Sequence, residues 1–382
     1  MPINYLQYIN SVCQTENFEL NRFLVSGADP SVRQIVGEHI AVSAFSRGLS
    51  MFIVDNTAGG SDYSVDLCGY RVMNALNGDV SLCSDLFDIN TLKGISRLRS
   101  LLADLGFDGS RAMKVVSYIT FVKETERRLG NTGPLYIETL EEYGSNMLVE
   151  WKLCELVDSG KITEENRQYL LGRYAEVSAA GADFETTLVL LAPFMNGRNP
   201  DPSIAVHLPV GDYRTDRAMQ KIMSNILVSY IRNHSAGVSV LILDDGIGDR
   251  GFIPELLKNL PVHAEVNMLT NDAFSLSDTE INILFNKFPV RIFTRHEDME
   301  SCAKIETCCG DFDVVKRSSS TTVDRRLRAN SAWDILLGTN RTDTQITCAP
   351  TRDPRFRKEY IQALPPRTGI IDAGGNKVIF SF

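Results

Sequence analysis

No stretch of this sequence approaches the roughly 18 consecutive apolar residues that a membrane-spanning helix needs. Its opening, MPINYLQYINSVCQTENFEL, lacks the basic start and apolar centre of a secretory signal. Both absences point to a cytoplasmic protein with no direct membrane span. C-x-x-C pairs are missing as well. The eight cysteines include a cluster at Cys302, Cys308 and Cys309, near His296. That spacing fits no zinc-site pattern, so reduced, partly buried thiols are expected. Excess positive charge is also absent. A net charge of -9 excludes a uniformly basic nucleic-acid binder and leaves such a role only to a local basic surface. There are no internal repeats.

What is present reads as an α/β protein. Apolar, β-rich runs occur at FLVSG (23–27), MFIVDN (51–56), SIAVHLPV (203–210), VSVLILDD (238–245), AEVNMLTN (264–271), VRIFTRH (290–296) and DFDVVKR (311–317). Several are continuous rather than alternating, which predicts strands buried on both faces of a mostly parallel sheet flanked by helices. Between them, 214–233 places Met219, Ile222, Met223, Ile226, Leu227, Tyr230 and Ile231 on one helical stripe. From about residue 89 to 199 the strand signal fades, and amphipathic helices are separated by glycine breaks. The expected organisation is therefore 1–88 as the first part of an α/β domain, 89–199 as a helical insertion, and 200–382 as the second part. A polar, arginine-rich stretch at 316–331 is expected as an exposed loop or a short basic helix.

Four strand ends carry residues with chemical potential. The stretch FLVSGADPSVRQIV (23–36) runs from apolar strand through glycine and short loop to amphipathic helix. Counted from Gly27, it fits the spacing of the phosphate-binding pattern G-x-x-x-x-G-K-[ST]. Ala28, Asp29, Pro30 and Ser31 occupy the free positions. Val32, Arg33 and Gln34 stand where that pattern has glycine, lysine and a hydroxyl. Pro30 removes an N–H donor, Val32 crowds the turn, and Arg33 keeps the charge on a bulkier, forked group. Gln34 is a poor magnesium ligand. The alternative is a plain strand–turn–helix with Asp29 or Ser31 as the helix cap.

Asp244 and Asp245 end a strongly apolar strand. In P-loop NTPases such a strand carries the acid that holds magnesium, and a neighbouring acid can polarise the attacking water. Thr270 and Asn271 end the next strand, where a polar side chain can sense the γ-phosphate. Arg295 and His296 end another; an arginine there could reach a neighbouring subunit's nucleotide, or pair with Glu297, Asp298 or Asp311.

These pieces, in this order, resemble the FtsK/HerA superfamily of RecA-like motor ATPases, most closely the type IV secretion and conjugation ATPases that include TraG/TraD-type coupling proteins. MFIVDN with Asp55 resembles their second strand. CGYRVMNALNG resembles a glycine-containing hairpin, and DIN (88–90) the turn into the helical insertion. The tail YIQALPPRTGIIDAGGNKVIFSF resembles the segment that closes such domains with an edge hairpin.

The resemblance implies a RecA-like P-loop NTPase fold, ATP and Mg2+ as cofactors, and Asp244 as metal ligand. It assigns Asp245, Asn271 and Arg295 to catalysis, and residues 27–34 to nucleotide binding. It also implies an oligomeric ring, homo- or heteromeric, with protein partners in a secretion or translocation complex. DNA contact would run through 316–331, and any membrane association through partners. Because the glycine, lysine and hydroxyl are replaced together, the leading expectation is a degenerate motor subunit with a structural or regulatory role and weak or no ATP hydrolysis. A divergent active ATPase driving DNA or protein translocation is the second reading. An α/β enzyme or scaffold unrelated to motors is the third.

Overall fold

The computed structural model describes the whole chain except residues 1–21, 59–66, 68, 79, 83–91, 134, 136, 195–199, 234–236, 249, 263, 324–341 and 374–375. The chain forms two compact units, one of residues 1–295 with 365–382 and one of 296–364. Among the described residues, no helix is long and apolar enough to cross a membrane.

The first unit is built on a sheet. Its strands are β1 (Phe23–Ser26), β2 (Ser50–Asn56), β3 (Arg71–Asn74), β4 (Ile204–Leu208), β5 (Val238–Asp244), β6 (Glu265–Thr270), β7 (Val290–Phe293), β10 (Thr368–Ala373) and β11 (Asn376–Ser381). They lie in the order β11-β10-β7-β1-β6-β5-β2-β4-β3. Strands β1 to β7 pair parallel. The tail returns antiparallel as the β10–β11 hairpin on the edge beside β7.

Helix α1 (Pro30–Ser46) follows β1. After β3 come α2 (Leu92–Asp104), α3 (Gly109–Arg128), α4 (Ile137–Glu141), α5 (Asn146–Asp158), α6 (Glu164–Val177) and α7 (Gly181–Leu191). Then α8 (Arg217–Asn233) follows β4, α9 (Phe252–Asn259) follows β5, and α10 (Asp278–Lys287) follows β6.

Helices cover both faces of the sheet, which is why the strands read as unbroken apolar runs. Met51 and Ile53 of β2 join Val32, Val36, Ile40 and Ala44 of α1 in one core cluster. The intervening Phe52 points the other way and packs against Tyr230 of α8, with ring centroids 5.1 Å apart. Helix α8 begins at Arg217 rather than 214, because Asp216 caps it by accepting from the Met219 N–H at 3.0 Å. Met219 is half-buried; the other six residues of its expected stripe are buried.

Helices α2 to α7 enclose their own aromatic centre. Tyr118 stacks on Phe184 at 4.4 Å, and Phe121 meets Tyr143 edge-on at 6.3 Å. The buried Tyr143 hydroxyl donates to Glu126 at 2.8 Å, so its polar end is not stranded. Asp108, Ser145 and Thr163 cap α3, α5 and α6 through side-chain oxygens.

The second unit contains α11 (Met299–Cys309), the antiparallel pair β8 (Asp311–Val323) and β9 (Thr342–Pro354), and α12 (Lys358–Gln362). Two expectations change here. The expected loop or short helix at 316–331 is strand through Val323; its remainder lies outside the described residues. The stretch expected as a hairpin, CGYRVMNALNG, instead places β3 parallel to β4, because Asn74 caps a short 3-10 turn that carries the chain away. DIN (88–90) lies outside the described residues. Nothing in the sequence pattern sets 296–364 apart as a unit of its own.

Candidate functional site

The carboxyl ends of the strands line up. In register, Phe293, Ser26, Thr270, Asp244 and Asn56 sit side by side across β7, β1, β6, β5 and β2. This is the edge where open α/β sheets bind ligands. Because β6 lies between β1 and β5, the Gly27 turn and the acidic pair are one strand apart, with Thr270 between them.

The loop after β1 is short. Only Gly27, Ala28 and Asp29 separate the strand from α1, which starts at Pro30. Asp29 is the N-cap and Pro30 follows it, a strong helix-start pair. Val32, Arg33 and Gln34 therefore lie inside the helix rather than in a phosphate-wrapping loop. Val32 is buried in the core. Gln34 is exposed and donates to Glu38 at 2.9 Å. Arg33 is buried and folds back to donate to the Gly27 carbonyl.

The loop's N–H groups are already in use. Gly27 donates to the Thr270 carbonyl at 3.1 Å, and Ala28 to the Arg295 carbonyl at 2.8 Å. Asp29 donates to the Thr294 hydroxyl at 3.4 Å, and Ser31 to the Asp29 carboxylate at 2.9 Å. Pro30 has no N–H. The second Asp29 oxygen accepts from the Arg367 N–H at 2.6 Å. A carboxylate from the chain thus sits at the positive end of α1, where a phosphate would be attracted.

The acids are equally occupied. Asp244 is fully buried. One of its oxygens accepts from the Asn56 amide at 2.8 Å and Arg250 Nε at 3.2 Å. The other accepts from the Thr270 hydroxyl at 2.6 Å and from Arg250 Nη2. Arg250 spends its remaining donors on the Thr270 hydroxyl, the Asp272 carbonyl and the Ser275 hydroxyl. Asp245 pairs with Arg214 at 2.7 Å and accepts from the N–H groups of Ala58 and Ile247, each at 2.9 Å.

Burial pushes the Asp245 carboxyl up, but Arg214 and those two N–H groups together outweigh it and hold the group below the usual carboxylate range. At neutral pH it is a weak proton acceptor. Asp55 behaves alike. Burial raises it, while His207 at 3.0 Å and the hydroxyl and N–H of Thr57 bring it below the ordinary value.

Asn271 donates its N–H to the Asp244 carbonyl at 3.2 Å. The side-chain oxygens of Asn271 and Asn56 are buried without a donor among the described residues. Both are acceptors, so they suit a water or another donor and repel a phosphate oxygen. Arg295 is exposed, and its carbonyl anchors Ala28.

No protein-family model matches this chain, and no curated protein matches its sequence. Its structure does have counterparts. The bacterial conjugative coupling protein TrwB, lacking its first 70 residues, aligns with a TM-score of 0.51 at 14% identity, covering 94% of this chain and 83% of that one. TrwB in complex with ADP and Mg2+ aligns at 0.47 and 14% identity, covering 94% and 84%. VirB4 of Thermoanaerobacter pseudethanolicus aligns at 0.45 and 11% identity, covering 96% and 90%.

The fold is that of a RecA-like P-loop NTPase. Strand β6 separates the glycine-turn strand β1 from the acidic strand β5, so the turn and the acids face one another across a single strand. Yet the residues do not fit magnesium-ATP as a P-loop holds it. The loop's N–H groups point to protein acceptors, an anion of the chain occupies the helix end, and Asp244 already faces a guanidinium.

Sequence reasoning placed Asp244, Asp245, Thr270 and Asn271 at one edge, and the structure brings them together there. It missed Arg214, Arg250, His207 and Arg367, which satisfy that edge. Arg250 follows Asp244 by six residues in DDGIGDR, the one local hint of self-pairing. Arg214 and Arg367 arrive from distant segments without a motif. Among the described residues, no three His, Cys, Asp or Glu side chains gather to hold a metal.

Proposed function

We propose that this chain is a motor-fold subunit of a type IV secretion or conjugation-like machine that does not itself turn over ATP. Its role is structural or regulatory. It acts through protein partners in a homo- or hetero-oligomeric ring, and through them reaches the membrane and any DNA.

The observation that carries this reading is the filling of the nucleotide edge by the chain's own charges: Asp29 at the α1 terminus, Arg250 on Asp244 and Arg214 on Asp245. Phosphoryl transfer relies on positioning and charge stabilisation. Here the donors that would position phosphates and the carboxylate that would hold magnesium are committed elsewhere. Arg33, the residue a divergent active ATPase would need in place of lysine, bonds its own loop carbonyl instead.

Calorimetric titration of the purified chain with ATP, with and without Mg2+, is expected to give no binding heat. Tight magnesium-dependent binding, with hydrolysis abolished by Asp244→Ala, would overturn the proposal in favour of the active motor.

A further inference from the structure

Helix α5 presents an apolar face whose large side chains stand exposed. Its inward positions, Val149, Leu153 and Leu156, are buried. On the outward side Met147 is 77% exposed and Trp151 63%. Cys154 continues the line, and Leu148 lies beside it, 38% exposed. Met147, Trp151 and Cys154 fall at i, i+4 and i+7, and Leu148 meets Trp151 at i+3, so the four side chains share one stripe. A surface helix ordinarily turns polar residues outward. A contiguous apolar stripe centred on an exposed tryptophan, the residue type most enriched at binding hot spots, marks an interaction surface.

Acids flank and close the stripe, Glu155 following Trp151 and Asp158 following Cys154 at i+4, while Arg167 of α6, which lies beside Cys154, is paired with Glu164 at 2.7 Å. Glu150, Glu155 and Asp158 are all exposed. The helix's one cation, Lys152, is taken by Glu142 at 2.5 Å.

We propose that this stripe docks an amphipathic helical segment of a protein partner, with apolar side chains bordered by lysine or arginine. A second copy of the chain is a poor occupant, because a symmetric pairing would bring the acids of both copies together. The anionic surface of a membrane is disfavoured for the same reason. The inference rests on α5 alone and stands whatever the nucleotide edge does.

The test uses the full chain carrying Trp333→Phe, so that Trp151 is the sole tryptophan of the two in the sequence. The probes are a synthetic amphipathic Leu/Lys helical peptide and its Leu/Glu twin. The Leu/Lys peptide is expected to bind and to shift Trp151 emission to the blue, and the Leu/Glu twin is not. Read by calorimetry, Trp151→Ala is expected to weaken binding about tenfold or more, as truncation of a hot spot does. Glu150→Lys with Glu155→Lys is expected to do the same. All three positions are exposed, and an unchanged circular dichroism spectrum checks that each variant folds. Binding that survives Trp151→Ala, or equal binding of both peptides, overturns the proposal. So does self-association of the chain that Trp151→Ala abolishes, which would assign the stripe to a second copy.

Discussion

Arg250 offers the sharpest test of the idea that the chain fills its own site. Its side chain is 3% exposed and that of Asp244 is fully buried. Its guanidinium reaches both Asp244 oxygens, the hydroxyls of Thr270 and Ser275, and the Asp272 carbonyl. Arg250→Ala would leave Asp244 buried with the Asn56 amide and the Thr270 hydroxyl but without its balancing cation. Removing one partner of a buried ion pair costs about 3–5 kcal/mol. That is a large share of the roughly 5–15 kcal/mol by which proteins are stable. At about 2–4 °C per kcal/mol for chains of some 150–250 residues, the melting point should fall by about 10 °C.

The matching control is Arg250→Met with Asp244→Leu, which removes both charges. It should recover much of the loss, because an uncompensated charge is worse than no charge. Urea denaturation of wild type, single and double variants measures both quantities. A loss below about 1 kcal/mol for Arg250→Ala, within the range of an exposed pair, would refute the reasoning. So would a wild-type midpoint that rises with Mg-ATP, since a ligand that binds only the folded state must stabilise it.

Three further outcomes follow from the same edge. Asp29→Ala removes the α1 cap and the acceptor for Arg367, and should cost about 1–2 kcal/mol; thermal melts check it, and no loss would count against the cap. Gly27→Ala places a Cβ 2.1 Å from the Thr294 hydroxyl at a φ of 139°, so a loss of about 3 kcal/mol or more is expected and a stable variant would contradict the packing of the turn. Asp55 and Asp245 titrate below their unfolded values, so their stabilising contribution is complete at neutral pH and is lost as pH falls below about 4. Stability followed by circular dichroism against pH should show that decline, and Asp245→Asn should flatten it; an identical acid profile in the variant would argue against the Arg214 pairing.

The sheet was legible in the sequence because burial on both faces writes itself as unbroken apolar runs such as VLIL before Asp244. Helix α8 was legible because its stripe keeps the 3.6-residue period. Strand β3 was harder. RVMN is four residues long and partly exposed, so neither a continuous run nor an alternation announces it. The glycine turn carried two signals at once. Its spacing matched a phosphate loop, while Asp29-Pro30 marked a helix start three residues after Gly27. In the fold the helix start prevails, since a capped N-terminus with Pro at the first position is locally complete without a ligand. Arg214 and Arg250 were not legible as partners of the acids. Ion pairing depends on which segments the topology brings to one edge, and no local pattern encodes Arg214 meeting Asp245 across 31 residues.

Those arginines also account for why the edge holds together. Where parallel strands end and a helix begins, a P-loop fold concentrates N–H groups, carbonyls and carboxylates in little space. In a nucleotide-binding protein the phosphates and magnesium balance them, and the stability gained depends on ligand concentration. Here the balancing charges are covalent parts of the chain. Asp29 supplies the anion at the α1 terminus, Arg250 the cation for Asp244, and Arg214 the cation for Asp245. Internal charges are present at unit occupancy whatever the nucleotide level, so the charge balance seen at this edge does not depend on ligand concentration. The structural or regulatory role we propose draws on that independence, because a charge balance built from Asp29, Arg250 and Arg214 needs no ligand to complete it.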